Sequence, residues 1–108
     1  SLLEVHNLME EIKTRRELGK FSLDELSGGT FTISNLGSYN ITSFKAVVNV
    51  PEVGILAISK IINMPVVRND QIVSTNIMRI CLSADHRVVD GAYCSRFLTE
   101  LVALLESL

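Results

Sequence analysis

Gly54-Ile55-Leu56-Ala57-Ile58-Ser59-Lys60-Ile61 carries apolar residues at odd and even positions alike and only one charge. A strand that is apolar on both faces is covered from two sides, so this stretch is expected in the interior of a sheet. The distribution of charge agrees. Ten charged residues fall in the first thirty positions, three (Lys45, Glu52 and Lys60) between 31 and 67, and nine after that.

Reading outward from this strand, Thr30-Phe31-Thr32-Ile33-Ser34 alternates polar and apolar with strand period. Phe31 and Ile33 fall on one face and Thr30, Thr32 and Ser34 on the other, which points Ser34 away from the local core. Asn35-Leu36-Gly37-Ser38-Tyr39-Asn40 has the composition of a loop, and Ala46 to Val50 reads as a short extended segment ending at Pro51. On the other side, Val66 to Val73 predicts a hairpin around Asn69-Asp70, and Ile77 to Leu82 a further strand. Both ends are helical in pattern. Leu2, Val5, Met9 and Ile12 recur at spacings of three and four up to about Leu18, where Gly19 stops the helix. Ser22-Leu23-Asp24-Glu25 has the form of a capping box before one short turn. Cys94, Phe97, Leu98, Leu101, Leu104, Leu105 and Leu108 predict a helix from Ala92 onward. Helix, strand, strands, helix is an α+β order without the regular alternation of a doubly wound sheet.

With 108 residues, 47% of them apolar, the chain fits one domain. Area scaling gives roughly 6,000 Å² of folded surface against about 17,000 Å² unfolded, a modest core, so part of the stability is expected from partners. A net charge of −2 without a basic stripe argues against a nucleic-acid binder. The longest apolar run, Val53 to Ile58, is far short of the roughly 20 residues that span a bilayer. Ser1-Leu2-Leu3-Glu4-Val5 shows neither a basic region nor a cleavage site, so no targeting signal is expected. Cys81 and Cys94 lie on apolar patterns and read as reduced, intracellular and packed, not as nucleophiles.

The concentrated ionisable cluster outside the helices is Asp85-His86-Arg87-Val88-Val89-Asp90-Gly91, at the junction of a buried strand and the last helix. A histidine there can act as a general base near neutral pH if one ring nitrogen is oriented and the other faces the substrate. On spacing alone the opposing reading is as good: Asp90 caps the helix, Arg87 pairs with a carboxylate, and His86 is a rim residue. A metal held by His86, Asp85 and Asp90 lacks a second histidine nearby, because His6 lies on the first helix, and no metal site is expected. Ser34 is by pattern a solvent-facing strand serine. As a hydroxyl donor it can also stabilise an oxyanion without being activated, whereas no G-x-S-x-G elbow supports it as a nucleophile. Gly28-Gly29 and Gly37 form no phosphate-binding fingerprint.

Three segments together resemble the catalytic domain of the dihydrolipoamide acyltransferases of the 2-oxo acid dehydrogenase complexes. They are Gly28-Gly29-Thr30-Phe31-Thr32-Ile33-Ser34-Asn35-Leu36-Gly37, Asn49-Val50-Pro51-Glu52 leading into Ile55-Leu56-Ala57, and Leu82-Ser83-Ala84-Asp85-His86-Arg87-Val88-Val89-Asp90-Gly91-Ala92. The H-x-x-x-D-G element is shared with the chloramphenicol acetyltransferase superfamily, and the flanking residues point to the dehydrogenase-complex branch. The whole chain, 1–108, resembles the C-terminal part of that domain, which implies an α+β, chloramphenicol acetyltransferase-like mixed sheet with flanking helices.

The resemblance implies exchange of an acyl group between dihydrolipoyl and coenzyme A thiols without a covalent acyl-enzyme or a metal. In that reading His86 is the general base, Ser34 the oxyanion donor, and Asp90 holds the loop and its arginine contacts. The family's site lies between subunits of a trimer, so His86 and Ser34, 52 residues apart, would come from neighbouring chains. It further implies a cubic or dodecahedral core serving lipoyl domains and the other complex components, in the cytoplasm of a prokaryote or the mitochondrial matrix. Ser34-Asn35-Leu36-Gly37 does not match the succinyl branch's T-N-G-G, so acetyl transfer in a pyruvate or acetoin complex is expected. The alternatives are a branched-chain acyl group or a catalytically silent scaffold.

Overall fold

The computed structural model describes all 108 residues. Helix α1 (Leu2–Glu17) is followed by one 3₁₀ turn (Asp24–Leu26), strands β1 (Thr32–Asn35), β2 (Gly54–Arg68) and β3 (Gln71–Ala84), and helix α2 (Gly91–Glu106). The sheet has the order β1-β2-β3, with β1 parallel and β3 antiparallel to β2.

Local chemistry sets the boundaries. Ser1 caps α1 in a capping box with Glu4, and Gly19 leaves it at φ +64°, a conformation that favours glycine. Ser22 and Glu25 bond reciprocally, Ser22 N–H to Glu25 Oε2 at 2.9 Å and Glu25 N–H to Ser22 Oγ at 3.4 Å. The two-residue turn Asn69-Asp70 takes positive φ at both positions, as tight hairpin turns require.

Three expected elements fuse. The strand at 54–61, the hairpin at 66–73 and the strand at 77–82 are one long hairpin, paired in register from Gly54↔Ala84 to Arg68↔Gln71 with one irregularity between Ile58 and Ile61. Pro65 does not break it, because β1 pairs only with Ile55 to Ile58 and β2 has an open edge at Pro65. Residues 44–50 join no ladder, yet Phe44, Ala46 and Val48 are half-buried while Lys45, Val47 and Asn49 are exposed. The segment is thus extended in its periodicity without being a strand.

The core is the stretch of β2 that is paired on both sides, by β1 and by β3. Gly54, Ile55, Leu56, Ala57 and Ser59 are buried, so β2 is covered on both faces here, as its two-sided apolar pattern predicts. On one side α2 covers the sheet through Phe31, Gly54, Leu82, Tyr93, Cys94 and Phe97, with the rings of Phe31 and Phe97 6.0 Å apart and tilted. Beyond that stretch little is covered. The chain exposes 8895 Å², about half as much again as the roughly 6,000 Å² of a compact domain of this mass. Its radius of gyration is 16.6 Å against about 13 Å for that length. Helix α1 buries none of its residues, and its apolar stripe of Leu2, Val5, Leu8, Met9 and Ile12 is exposed. Surface of this extent and character is the kind that further protein covers.

Candidate functional site

The β3–α2 junction is built by two carboxylates that flank His86. Asp85 extends the ladder by one bond, its N–H reaching Val53 O at 2.8 Å, and its own carbonyl accepts the N–H groups of Val88 and Val89 at 2.9 and 3.1 Å. The Asp85 side chain clasps Arg87: Oδ1 accepts the Arg87 backbone N–H at 3.0 Å and Nε at 2.9 Å, and Oδ2 accepts Nη2 at 2.7 Å. These bonds, the side-chain one foremost, hold the Asp85 carboxyl well below the usual range, at about 2, and raise Arg87. Four residues after His86, Asp90 caps α2, its Oδ1 accepting the Tyr93 N–H at 2.8 Å.

His86 is therefore the exposed apex of a turn whose two ends are tied to β3 and to α2. No side-chain hydrogen bond within the chain occupies its ring. An unengaged imidazole on a turn tied at both ends is placed to exchange protons with whatever approaches the turn. The pairing foreseen for Arg87 is with Asp85. The arginine contact foreseen for Asp90 is not made within the chain, because the one guanidinium in that turn is taken by Asp85 and the Asp90 carboxylate is spent on the helix end.

Ser34 sits on β1 opposite Ala57. It is half-buried, and Thr32, on the same face, is half-buried too, whereas Phe31 and Ile33 are exposed. The alternation is as read, but the face assigned to solvent is the better covered one. It shares that side with Ile55 and Ala57, which are among the most buried residues of the chain.

The structure does not bring Ser34 and His86 together in one chain, since they lie on opposite edges of the sheet. Cys81 and Cys94 are both free and half-buried. No group of three or more His, Cys, Asp or Glu side chains is arranged to hold a metal ion.

Sequence reasoning passed over Glu52. Its carboxylate accepts the hydroxyl of Thr32, and its backbone N–H donates to Asn49 O at 2.8 Å, so it ties the loop before β2 to the start of β1. The signal was present, because Glu52 is one of the three charges in the apolar middle of the chain.

A family model described as 2-oxoacid dehydrogenases acyltransferase (catalytic domain) matches residues 1–108. The dihydrolipoyllysine-residue acetyltransferase component of the pyruvate dehydrogenase complex of Rickettsia felis is 39% identical over 107 residues, covering 99% of this chain and 26% of that protein. Among solved structures, one comes from crystallographic and enzymatic work on the role of a serine, a histidine and an asparagine in the catalytic mechanism of Azotobacter vinelandii dihydrolipoamide acetyltransferase. It superimposes with a TM-score of 0.90 at 38% identity, covering 97% of this chain and 43% of that one. The cubic core of a pyruvate dehydrogenase multienzyme complex superimposes with a TM-score of 0.90 at 37% identity, over the same shares. The chain thus spans about a quarter of the length of the curated relative and less than half of each solved chain.

Proposed function

Because the chain belongs to the 2-oxoacid dehydrogenases acyltransferase catalytic-domain family, we propose that it moves an acyl group, preferentially acetyl, between coenzyme A and a dihydrolipoyl thiol, as the C-terminal part of a longer catalytic domain. The observation that carries this reading is a matched spacing. The serine, histidine and asparagine studied in the Azotobacter enzyme stand 52 and 4 residues apart, the separations of Ser34, His86 and Asp90 here.

In this reading His86 takes the proton of the incoming thiol. A free thiol has a pKa near 8.5, so a positioned imidazole raises the thiolate fraction at neutral pH. The thiolate attacks the thioester carbonyl, and the tetrahedral oxyanion accepts a hydrogen bond from the Ser34 hydroxyl. Collapse breaks the original carbon–sulfur bond, and the departing thiolate recovers the proton from the imidazolium. No atom of the protein is acylated. Asp90 acts on the position of His86, by fixing where α2 begins.

The site is completed in this reading by a second copy of the chain in a homotrimer, and the trimers by a larger core that receives lipoyl domains. The exposed apolar surface and the likeness to a cubic core support it.

The test is acetyl transfer from acetyl-coenzyme A to dihydrolipoamide, with His86→Ala as the blank. Turnover should fall by about 10²-fold or more in His86→Ala, and Ser34→Ala should lower kcat by about 10²-fold with KM nearly unchanged. Activity equal in wild type and His86→Ala would remove the base. Faster transfer from a branched-chain acyl donor would change the acyl group but keep the chemistry. No transfer at all would support the scaffold reading.

A further inference from the structure

Strand β1 carries Ser34, and it is the least secured element of the sheet: four residues, paired along one side only, to Ile55 through Ile58. Its two ends are held by different devices. At the far end Leu36 N–H reaches Ile58 O at 3.0 Å, and Asn35 Oδ1 turns the chain by accepting the Gly37 N–H at 2.8 Å. At the near end the tie outside the ladder is made by side chains, from the Thr32 hydroxyl to the Glu52 carboxylate. Thr32 and Ser34 are two apart on one strand and so share a face.

We propose that Glu52 is a positioning residue for Ser34: by accepting the Thr32 hydroxyl it fixes the near end of β1, and with it the direction in which the Ser34 hydroxyl points. The proposal rests on the acyl-transfer reading of Ser34. An oxyanion donor is useful only if held to a few tenths of an ångström, and that precision comes from the residues behind it.

The surroundings of the carboxylate are shaped for this contact. A Cβ added at Gly29 would lie 2.7 Å from Glu52 Oε1. The Glu52 side chain is flexible enough to move away, but moving takes it off Thr32. Glu52 is itself half-buried, and the bond from its N–H to Asn49 O fixes its backbone. The absence of a side chain at Gly29 thus leaves room for the Glu52 carboxylate, whose bond to Thr32 ends two residues before Ser34.

The experiment measures kcat and KM for acetyl transfer in the purified protein with Glu52→Ala, Glu52→Gln and Thr32→Val, each with Ser34 intact and in a Ser34→Ala background. With Ser34 present, Glu52→Ala and Thr32→Val should each lower kcat by about tenfold, a fraction of the loss a misplaced catalytic group can cause, with KM within about twofold. The double variant should be no worse than either single one. Glu52→Gln should retain most of kcat, because its amide oxygen also accepts a hydroxyl proton. In the Ser34→Ala background none of the three should lower kcat further.

A tenfold loss that persists without Ser34 would overturn the proposal, as would a Glu52→Gln variant as slow as Glu52→Ala. If the wild-type protein transfers no acyl group, the functional reading fails, and amide hydrogen exchange then judges the tie separately. Thr32→Val should speed exchange across Thr32–Asn35 by about tenfold if the tie holds β1, and unchanged exchange would overturn it.

Discussion

Ser34 and His86 stand on opposite edges of the sheet and at different levels along it. Ser34 is level with Ala57, and Ala57 with Cys81, whereas His86 follows Ala84, whose partner is Gly54. Two inter-strand spacings across and five residues along separate them by roughly 20 Å. Reacting groups must come within about 3 to 3.5 Å, so one chain cannot apply both to one thioester.

A complementation experiment follows from that separation. Ser34→Ala and His86→Ala chains, each nearly inactive alone, are co-expressed and purified as mixed assemblies. If each site joins His86 of one chain to Ser34 of another, random mixing leaves both groups intact in about a quarter of the sites, and activity should return to about that fraction of wild type. Mixed assemblies no more active than the single variants would place both groups of a site in one chain.

The clasp between Asp85 and Arg87 gives the turn a pH dependence whose sign is fixed. The Asp85 carboxyl titrates at about 2 in the folded chain, below the roughly 3.9 of an unfolded aspartate. Its contribution is therefore fully present above about pH 4 and is lost as the pH falls toward 2. An NMR titration of the Asp85 carboxyl carbon should show a midpoint near 2 in wild type and one near the ordinary value in Arg87→Ala. A wild-type midpoint near 4 would mean that the clasp does not persist in solution.

Asp90 separates two roles by substitution. Its carboxylate receives the Tyr93 N–H at 2.8 Å, a task an asparagine performs about equally well. Asp90→Ala should cost about 1 kcal/mol in denaturant unfolding and Asp90→Asn only a few tenths. Activity should follow the same order, because the start of α2 positions the turn that carries His86. If Asp90→Asn is as slow as Asp90→Ala while remaining as stable as wild type, the charge itself matters. An asparagine at the matching spacing in the Azotobacter enzyme favours the cap.

The two-sided apolar run at Gly54–Ile61, the stop at Gly19 and the turn at Asn69-Asp70 were all legible in the sequence, because each follows from local periodicity or from glycine and turn chemistry. The union of three short segments into one hairpin was not. Asn63 and Pro65 fall between the expected segments; hydrogen bonds with Asn76 and Ser74 hold Asn63 in the ladder, and the open edge of β2 at that point makes Pro65 harmless. At the site, His86 and Asp90 were marked by clustered charge beside a strand end. The covered face of Ser34 was missed because alternation shows which residues share a face, not which face is covered. Glu52 was missed because its partner, Thr32, lies 20 residues away, a separation no local pattern reports.

Gly54 tests how closely β1 and α2 are packed on the sheet. A Cβ there would lie 3.1 Å from Phe31 Cε2 and 3.4 Å from Ser83 O, and the Phe31 ring cannot retreat without disturbing its contact with Phe97 at 6.0 Å. Gly54→Ala should therefore destabilise the chain by about 1 kcal/mol and Gly54→Val by more, as overpacking does. The ring edge is the nearer obstacle, so shortening it should relieve the strain: in a Phe31→Leu background Gly54→Ala should cost less than alone. Equal costs in the two backgrounds, by denaturant unfolding, would locate the strain at the Ser83 carbonyl, where the β2–β3 ladder and not the aromatic pair resists the added methyl group.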